Sequence, residues 1–420
     1  MKKILYIAII LILALGPTVL NYFGWRIGFA NAPFYQKAHP AFWLLFLLLI
    51  NNLLFRFNNL VGLTRSENLV LLTCFLIMLT MAAFGFDAGL SIFPNSILLP
   101  IFLSMNLTLA LDHSPFETSS NIRNILVALF ITNSCIAIVE RVIGTNFFPF
   151  TLVLGGDDLT MEYDDISEFR STALLGHPLS NALCTTIVMS FILISKMPEG
   201  RKYMLFMLGY IAILCFNTRS SILAWGGFIA IYMANKIWDK EYAIRKKVGM
   251  IIIGILGMLA VVYLIFNTGL GGRLLNTDLL DNSGSARLDI FNIFQNYELK
   301  AFLFGGVSPE QMLKMAESVG LGHIENYWLI FTFRFGIIYT LLLSYGFYKL
   351  FQKYLSPYPL FERSFVLIPF LLISSTNNSL ATGVPAIAIF FLCCISFDPQ
   401  FEYLKSLQKF AYYEDSTCAQ

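Results

Sequence analysis

Three arginines in this chain stand where apolar runs begin or end, and their chemistry suits one anionic group held between them. Arg170 opens the stretch Phe169-Arg170-Ser171-Thr172-Ala173-Leu174-Leu175-Gly176-His177-Pro178, which runs from an acidic loop into an apolar span. Arg219 sits in Asn217-Thr218-Arg219-Ser220-Ser221, the hinge between two apolar runs. Arg287 opens an amphipathic pattern in the longest polar segment. His323 and Glu325 close that segment just ahead of Asn326, the first residue of another span. A guanidinium stays charged at any working pH and offers a planar fork to phosphate oxygens. Three of them converging from separate segments fit a diphosphate. In a site shielded from water they also stabilise charge growing on a leaving group. Each residue has an ordinary reading as well. An interfacial arginine snorkels to lipid headgroups. His177 before a proline fits a hydrogen-bonded helix-end histidine, and His323 with Glu325 fits a polar loop-to-helix cap. The acidic run Asp157, Asp158, Glu162, Asp164, Asp165 and Glu168 matches no calcium-loop spacing. It is expected to be a solvated loop, and no metal is assigned to it.

Apolar helices must position these groups. Candidate spans are 4–20, 41–55, 68–86, 88–111, 123–144, 172–195, 203–217, 219–237, 248–266, 326–348, 363–376 and 380–397. Several fall short of the roughly 20 residues that a straight crossing takes. The boundaries at 86/88 and 217/219 read as tight re-entries or broken helices, which are tolerated where they are buried in protein or line a cavity. Two segments between spans are long, at about 145–171 and about 267–325. In the second, Leu288, Phe291, Phe294 and Tyr297 recur at helical spacing. A further short helix is predicted to start at Ser308, with Pro309 at its first position and Gln311 closing a capping box. Gly320 and Gly322 fit its end. Such helices are expected to lie on the membrane surface or to cap the bundle.

Composition says what solvent these helices meet. Of 420 residues, 57% are hydrophobic and 13% charged, whereas an ordinary soluble domain is about one quarter charged. Mean hydropathy is +0.69. A soluble fold cannot hide this much apolar surface, so the expected fold class is an all-α polytopic membrane protein. It would have roughly a dozen transmembrane helices in one domain over 1–420. Lys2 and Lys3 ahead of Ile4–Leu15 look like a signal peptide, but so many spans follow that an uncleaved first helix is expected. With the N-terminus inside, the inner segments hold nearly twice as many Lys and Arg as the outer ones, Arg245-Lys246-Lys247 being the clearest marker. Both termini are therefore expected in the cytoplasm and both long segments outside. The net charge of +2, with no basic face interleaved with aromatics, points to no nucleic-acid partner. All of the seven cysteines except Cys418 lie in apolar runs, and none forms a CxxC pair, so neither a disulfide framework nor a zinc site is expected.

Four of these stretches resemble the O-antigen ligase/polymerase superfamily of bacterial membrane glycosyltransferases. Phe169 to Leu183 is similar to the family's Arg-then-Gly-His-Pro lead into a helix. Phe216 to Trp225 is similar to its Thr-x-Ser/Arg-rich turn. Ser283 to Val307 resembles its second periplasmic loop, with an Arg ahead of a Gly-rich turn. His323 to Tyr339 resembles the loop exit. The resemblance covers about 169–340; the N-terminal third shares only its string of apolar helices. It implies a glycosyltransferase C-type bundle in the inner membrane and a metal-independent enzyme without a cofactor. The implied substrate is undecaprenyl-diphosphate-linked glycan, held by Arg170, Arg219 and Arg287. A chain-length regulator and a flippase are implied partners, beside the lipid bilayer. Ligases of the family carry His-Asn where this chain has Glu325-Asn326, and Glu-Asn favours a repeat-unit polymerase making O-antigen, capsule or exopolysaccharide. Glu325 or His323 would then take the acceptor proton, with His177, Asn326, Gly305 and Gly306 in support, the two glycines letting the loop backbone bend close to substrate. The alternatives are an O-antigen ligase acting on lipid A-core, and a multi-span transporter or lipid-linked glycan flippase. No matching halves of the kind transporters often show are present.

Overall fold

The computed structural model describes residues 2–27, 32–63, 65–84, 93–149, 151–154, 157–160, 169–240, 243–274, 293, 298–320, 324, 326–376, 378–381 and 384–400. The first half of the bundle comprises α1 (Lys2–Ala14), α2 (Pro17–Tyr22), α3 (Phe34–Lys37), α4 (Pro40–Leu63), α5 (Arg65–Phe84), α6 (Leu99–His113, led in by a π turn at Phe93–Leu98) and α7 (Pro115–Ile143). The second half comprises α8 (Pro178–Ile194), α9 (Glu199–Phe216), α10 (Arg219–Trp238), α11 (Ile244–Thr268), α12 (Leu299–Phe304), α13 (Pro309–Ser318), α14 (Tyr327–Leu355), α15 (Leu360–Ser375) and α16 (Ala386–Ser396). Every predicted apolar span carries helix. Among the described residues, five helices are long and apolar enough to cross a membrane: α5, Phe93–Asp112, α7, α11 and α14. Helix is what apolar surroundings impose, because it satisfies each backbone N–H and C=O within its own segment. The core is one continuous cluster, with α8 and α16 buried along almost their whole length. In α11 only Met250 is buried, while Ile252, Leu256, Leu259, Tyr263 and Phe266 face outward. An outer surface this apolar matches lipid and not water.

Four details depart from the predicted spans. The first span breaks at Leu15-Gly16, so α1 and α2 are separate helices. The span predicted from 172 becomes α-helical only at Pro178, and the one predicted from 380 only at Ala386, after a 3-10 turn at Ser379–Ala381. The span from 326 contains a true break at Gly336. The expected all-α class also gains one element. Thr151–Leu154 pairs antiparallel with Asp157–Thr160, with Leu154 opposite Asp157 across a Gly155-Gly156 link. A two-residue Gly link between β-favouring residues is a hairpin signal, which the acidic charge of the segment obscured. The helix predicted from Ser308 forms as expected: the Ser308 hydroxyl accepts from Gln311 N–H at 3.2 Å and Gln311 answers to Ser308 N–H at 3.0 Å. Gly320 follows with a φ of 77°. Gly322 and the amphipathic pattern from Leu288 to Tyr297 lie outside the described residues. Of the described cysteines, all are free thiols, and only Cys135 is exposed.

Cross-helix contacts sort the helix ends into two sets. At one end Lys2 pairs with Glu117 at 2.8 Å, joining the starts of α1 and α7. Buried Glu67 at the start of α5 pairs with Lys353 near the end of α14 at 2.7 Å and accepts from Ser104 Oγ at 2.6 Å. Lys246 meets Glu199 there at 3.8 Å. At the other end Gly16 N–H donates to Leu174 O, and Arg141 reaches Gly269 O. These contacts fix which helix ends neighbour one another.

His39, just ahead of α4, fastens that second end. Its Nε2 lies 2.8 Å from Leu15 O and its Nδ1 accepts Ala41 N–H at 3.1 Å, which suits only the neutral ring protonated at Nε2. Burial pushes its pKa down from 6.5 to about 4, opposed by the bond to Leu15. The unfolded chain therefore takes up this proton first as pH falls. The contribution of His39 is whole above about 6.5 and shrinks as pH drops toward about 4. Wild-type protein in detergent should lose more thermal stability between pH 7.5 and pH 5 than His39→Gln does; equal losses would exclude this role.

Candidate functional site

The stretch 169–176 is non-helical, yet it is the most heavily tied part of the second end. Gly176 N–H donates to Thr172 O, and Asn181, one turn into α8, donates from Nδ2 to Thr172 O at 2.6 Å and Gly176 O at 2.9 Å. Asn133 on α7 accepts from Leu174 N–H at 3.0 Å. Against α1 the approach is backbone to backbone: a Cβ on Gly16 would lie 2.3 Å from Leu174 O. His177 then caps α8, its Nδ1 accepting Leu179 N–H at 3.2 Å, with Pro178 in the first turn. That is the helix-end reading of this histidine.

The strap runs beside the end of α9. Ser171 N–H donates to Cys215 O at 3.1 Å, Asn217 Nδ2 to Phe169 O at 3.4 Å, and Arg170 Nε reaches Phe216 O at 3.5 Å. Asn217 takes the left-handed conformation, with a φ of 53°, so that α9 ends and α10 starts at Arg219 two residues later. Arg170 and Arg219 thus belong to two segments hydrogen-bonded to each other, and both side chains are partly exposed.

Hydroxyls continue the rim. Ser220, beside Arg219, accepts from Thr376 Oγ1 at 3.3 Å, just past the end of α15. Ser375 accepts from Trp328 Nε1 at 3.2 Å, and Ser180 on α8 donates to Ser379 at 3.1 Å. Asn326 caps α14 by accepting Trp328 N–H at 2.9 Å. The starts of α8, α10 and α14 therefore open on one end of the bundle, together with two arginines. A helix N-terminus carries partial positive charge and each arginine a full one, so an anion is favoured close beside them.

No protein-family model, curated protein or solved structure matches this chain. The superfamily resemblance rests on the four motifs alone. Arg170, Arg219, His177 and Asn326 lie at the same end of the bundle. Arg287, His323 and Glu325 lie outside the described residues. Gly305 and Gly306, expected to bend toward substrate, lie against α14. Gly306 N–H donates to Arg334 O at 2.9 Å and Val307 N–H to Phe333 O at 3.2 Å, taking carbonyls released by the break at Gly336.

Neither Glu140 nor Arg141 is among the residues singled out from the sequence. Both lie in the last turn of α7 and both are buried. Glu140 accepts Phe147 N–H on one oxygen at 2.8 Å. On the other it accepts Thr172 N–H at 3.1 Å, Ala173 N–H at 2.9 Å and the Ser171 hydroxyl. Arg141 donates to Phe169 O at 3.2 Å and Gly269 O at 2.7 Å. The signal was present: ionisable residues inside a predicted span are functional candidates by default.

Proposed function

We propose that this chain is a polymerase of undecaprenyl-diphosphate-linked oligosaccharide repeat units, a membrane glycosyltransferase acting at the outer face of the bacterial inner membrane. The observation that carries the reading is the joint placement of Arg170 and Arg219 on two mutually bonded segments, at an end where three helices present their N-termini. The even sorting of helix ends, combined with the Lys and Arg bias, supports roughly a dozen crossings with this end outside. The chemistry follows from the charges. A growing glycan on its lipid diphosphate is the donor, and a terminal sugar hydroxyl of a second lipid-linked unit is the acceptor. The hydroxyl oxygen bonds to the donor anomeric carbon as the bond from that carbon to the diphosphate oxygen breaks. Arg170, Arg219 and Arg287 hold the departing diphosphate and offset its growing charge, so no strong general acid is required. Glu325 or His323 takes the hydroxyl proton.

The test is reconstitution. Purified full-length chain in liposomes, given lipid-diphosphate repeat units extracted from the producing strain with this gene deleted, should build a ladder of longer glycans without any ion gradient. An absent ladder would remove the polymerase reading, and gradient-dependent movement of the intact substrate would put a transporter in its place. In the deletion strain, single repeats left on the core are the outcome expected of a polymerase, and a bare core that of a ligase.

A further inference from the structure

We propose that Glu140 and Arg141, in the last turn of α7, are positioning residues that set Arg170 and the root of the second long segment relative to each other. The inference rests on the diphosphate reading and adds residues to it. A buried carboxylate is expensive unless its lone pairs are filled, and Glu140 fills them with three backbone N–H groups and one hydroxyl. Three of those donors belong to Ser171, Thr172 and Ala173, the residues directly after Arg170. Ala173 has a φ of 38°, a backbone state that a non-glycine residue keeps only when its surroundings over-determine it. The bond from Ala173 N–H to Glu140 is one such constraint.

Arg141 works on the other flank. One guanidinium nitrogen holds Phe169 O, directly before Arg170, and its cation lies 5.9 Å from the Phe169 ring centroid. A second nitrogen holds Gly269 O, where α11 gives way to the segment that carries Arg287 in the sequence. One dipeptide therefore clasps Arg170 from both sides and fixes the start of the loop bearing the third arginine. Neither side chain is placed to meet substrate, since both are buried. Gln at position 140 keeps the shape but turns an NH2 toward donors, and Lys at 141 cannot make both carbonyl contacts.

The experiment is a double-mutant cycle on the reconstituted full-length chain with the same extracted repeat units. Glu140→Gln is expected to raise KM for the lipid-diphosphate substrate at least tenfold, with a smaller fall in kcat. Adding Arg170→Ala should then cost little beyond Arg170→Ala alone, because both remove the same placement. Fully additive effects, or a silent Glu140→Gln, would overturn the proposal. Should Glu140→Gln fail to fold, Glu140→Asp and Arg141→Lys replace it in the same cycle. A second readout needs no turnover. In Arg170→Cys protein, the rate of thiol labelling by a charged, membrane-impermeant methanethiosulfonate should change severalfold when Glu140→Gln is added, and an unchanged rate overturns the positioning role. If labelling changes while Arg170→Ala polymerises normally, the diphosphate reading falls and the structural clasp stands.

Discussion

Arg219→Ala protein should insert, purify and melt like wild type, yet build no glycan longer than a single repeat. The loss expected is at least a hundredfold in rate, because a guanidinium aimed at a leaving diphosphate acts where charge develops, in surroundings of low dielectric. Arg219→Lys should recover only a small part of that rate, since an ammonium is a point charge and does not match two phosphate oxygens with a planar fork. Arg170→Ala should behave in the same way, because its segment is bonded to the one that leads into Arg219. The measurement is a glycan ladder from liposomes, with thermal unfolding of each variant alongside. Normal ladders from both variants would dissolve the site and leave only the helical bundle. A stability loss without a change in rate would reassign both residues to anchoring at the membrane edge, the ordinary role of an interfacial arginine.

What the sequence revealed was decided by short-range physics. Apolar runs near the length of a crossing located the long helices, because that signal needs only composition and about 20 residues of window; the short α3 and α12 lie in no such run. The cap at Ser308 was equally legible, since a Ser, a Pro and a Gln within four positions determine their own hydrogen bonds. The bend at Asn217 fell where the reading put a boundary, at 217/219. What stayed hidden depends on distant partners. Nothing near Ala173 in sequence announces that Glu140, 33 positions earlier, holds its N–H. The helical start of the sixth span slipped to Pro178 because the N–H groups of Ser171, Thr172 and Ala173 bond outward, to Cys215 O and to the Glu140 carboxylate, instead of into a helix ladder. Residue type singles out Arg170 and Arg219 but does not say that their segments touch. The hydrogen bonds between their segments supply what residue type alone did not contain.

Gly336→Ala is the substitution expected to do most harm to the fold. Gly336 has φ 81° and ψ 159°, a combination that is essentially reserved for glycine. A Cβ there would lie 2.2 Å from Leu303 O and 2.6 Å from Phe304 C, and both are backbone atoms with no rotamer to escape into. Gly305 faces it from the other side, where a Cβ would lie 2.4 Å from Arg334 O. The two glycines let α12 press against a broken α14, and the broken carbonyls find donors at Gly306 and Val307. That is how a helix interrupted among apolar neighbours avoids unpaired backbone groups. The backbone strain alone costs about 1–3 kcal/mol, and the clash must push α12 away as well. The variant should therefore show a sharply lower melting temperature in detergent and little monodisperse protein. Gly257→Ala on α11, where a Cβ meets nothing within 4 Å, should melt like wild type. If Gly336→Ala melts with that control, the break is not held by this contact, and α14 must be free to close into a continuous helix. The sequence hid this because an isolated glycine inside an apolar span is common, and only the distant Gly305-Gly306 pair gives it a structural reason.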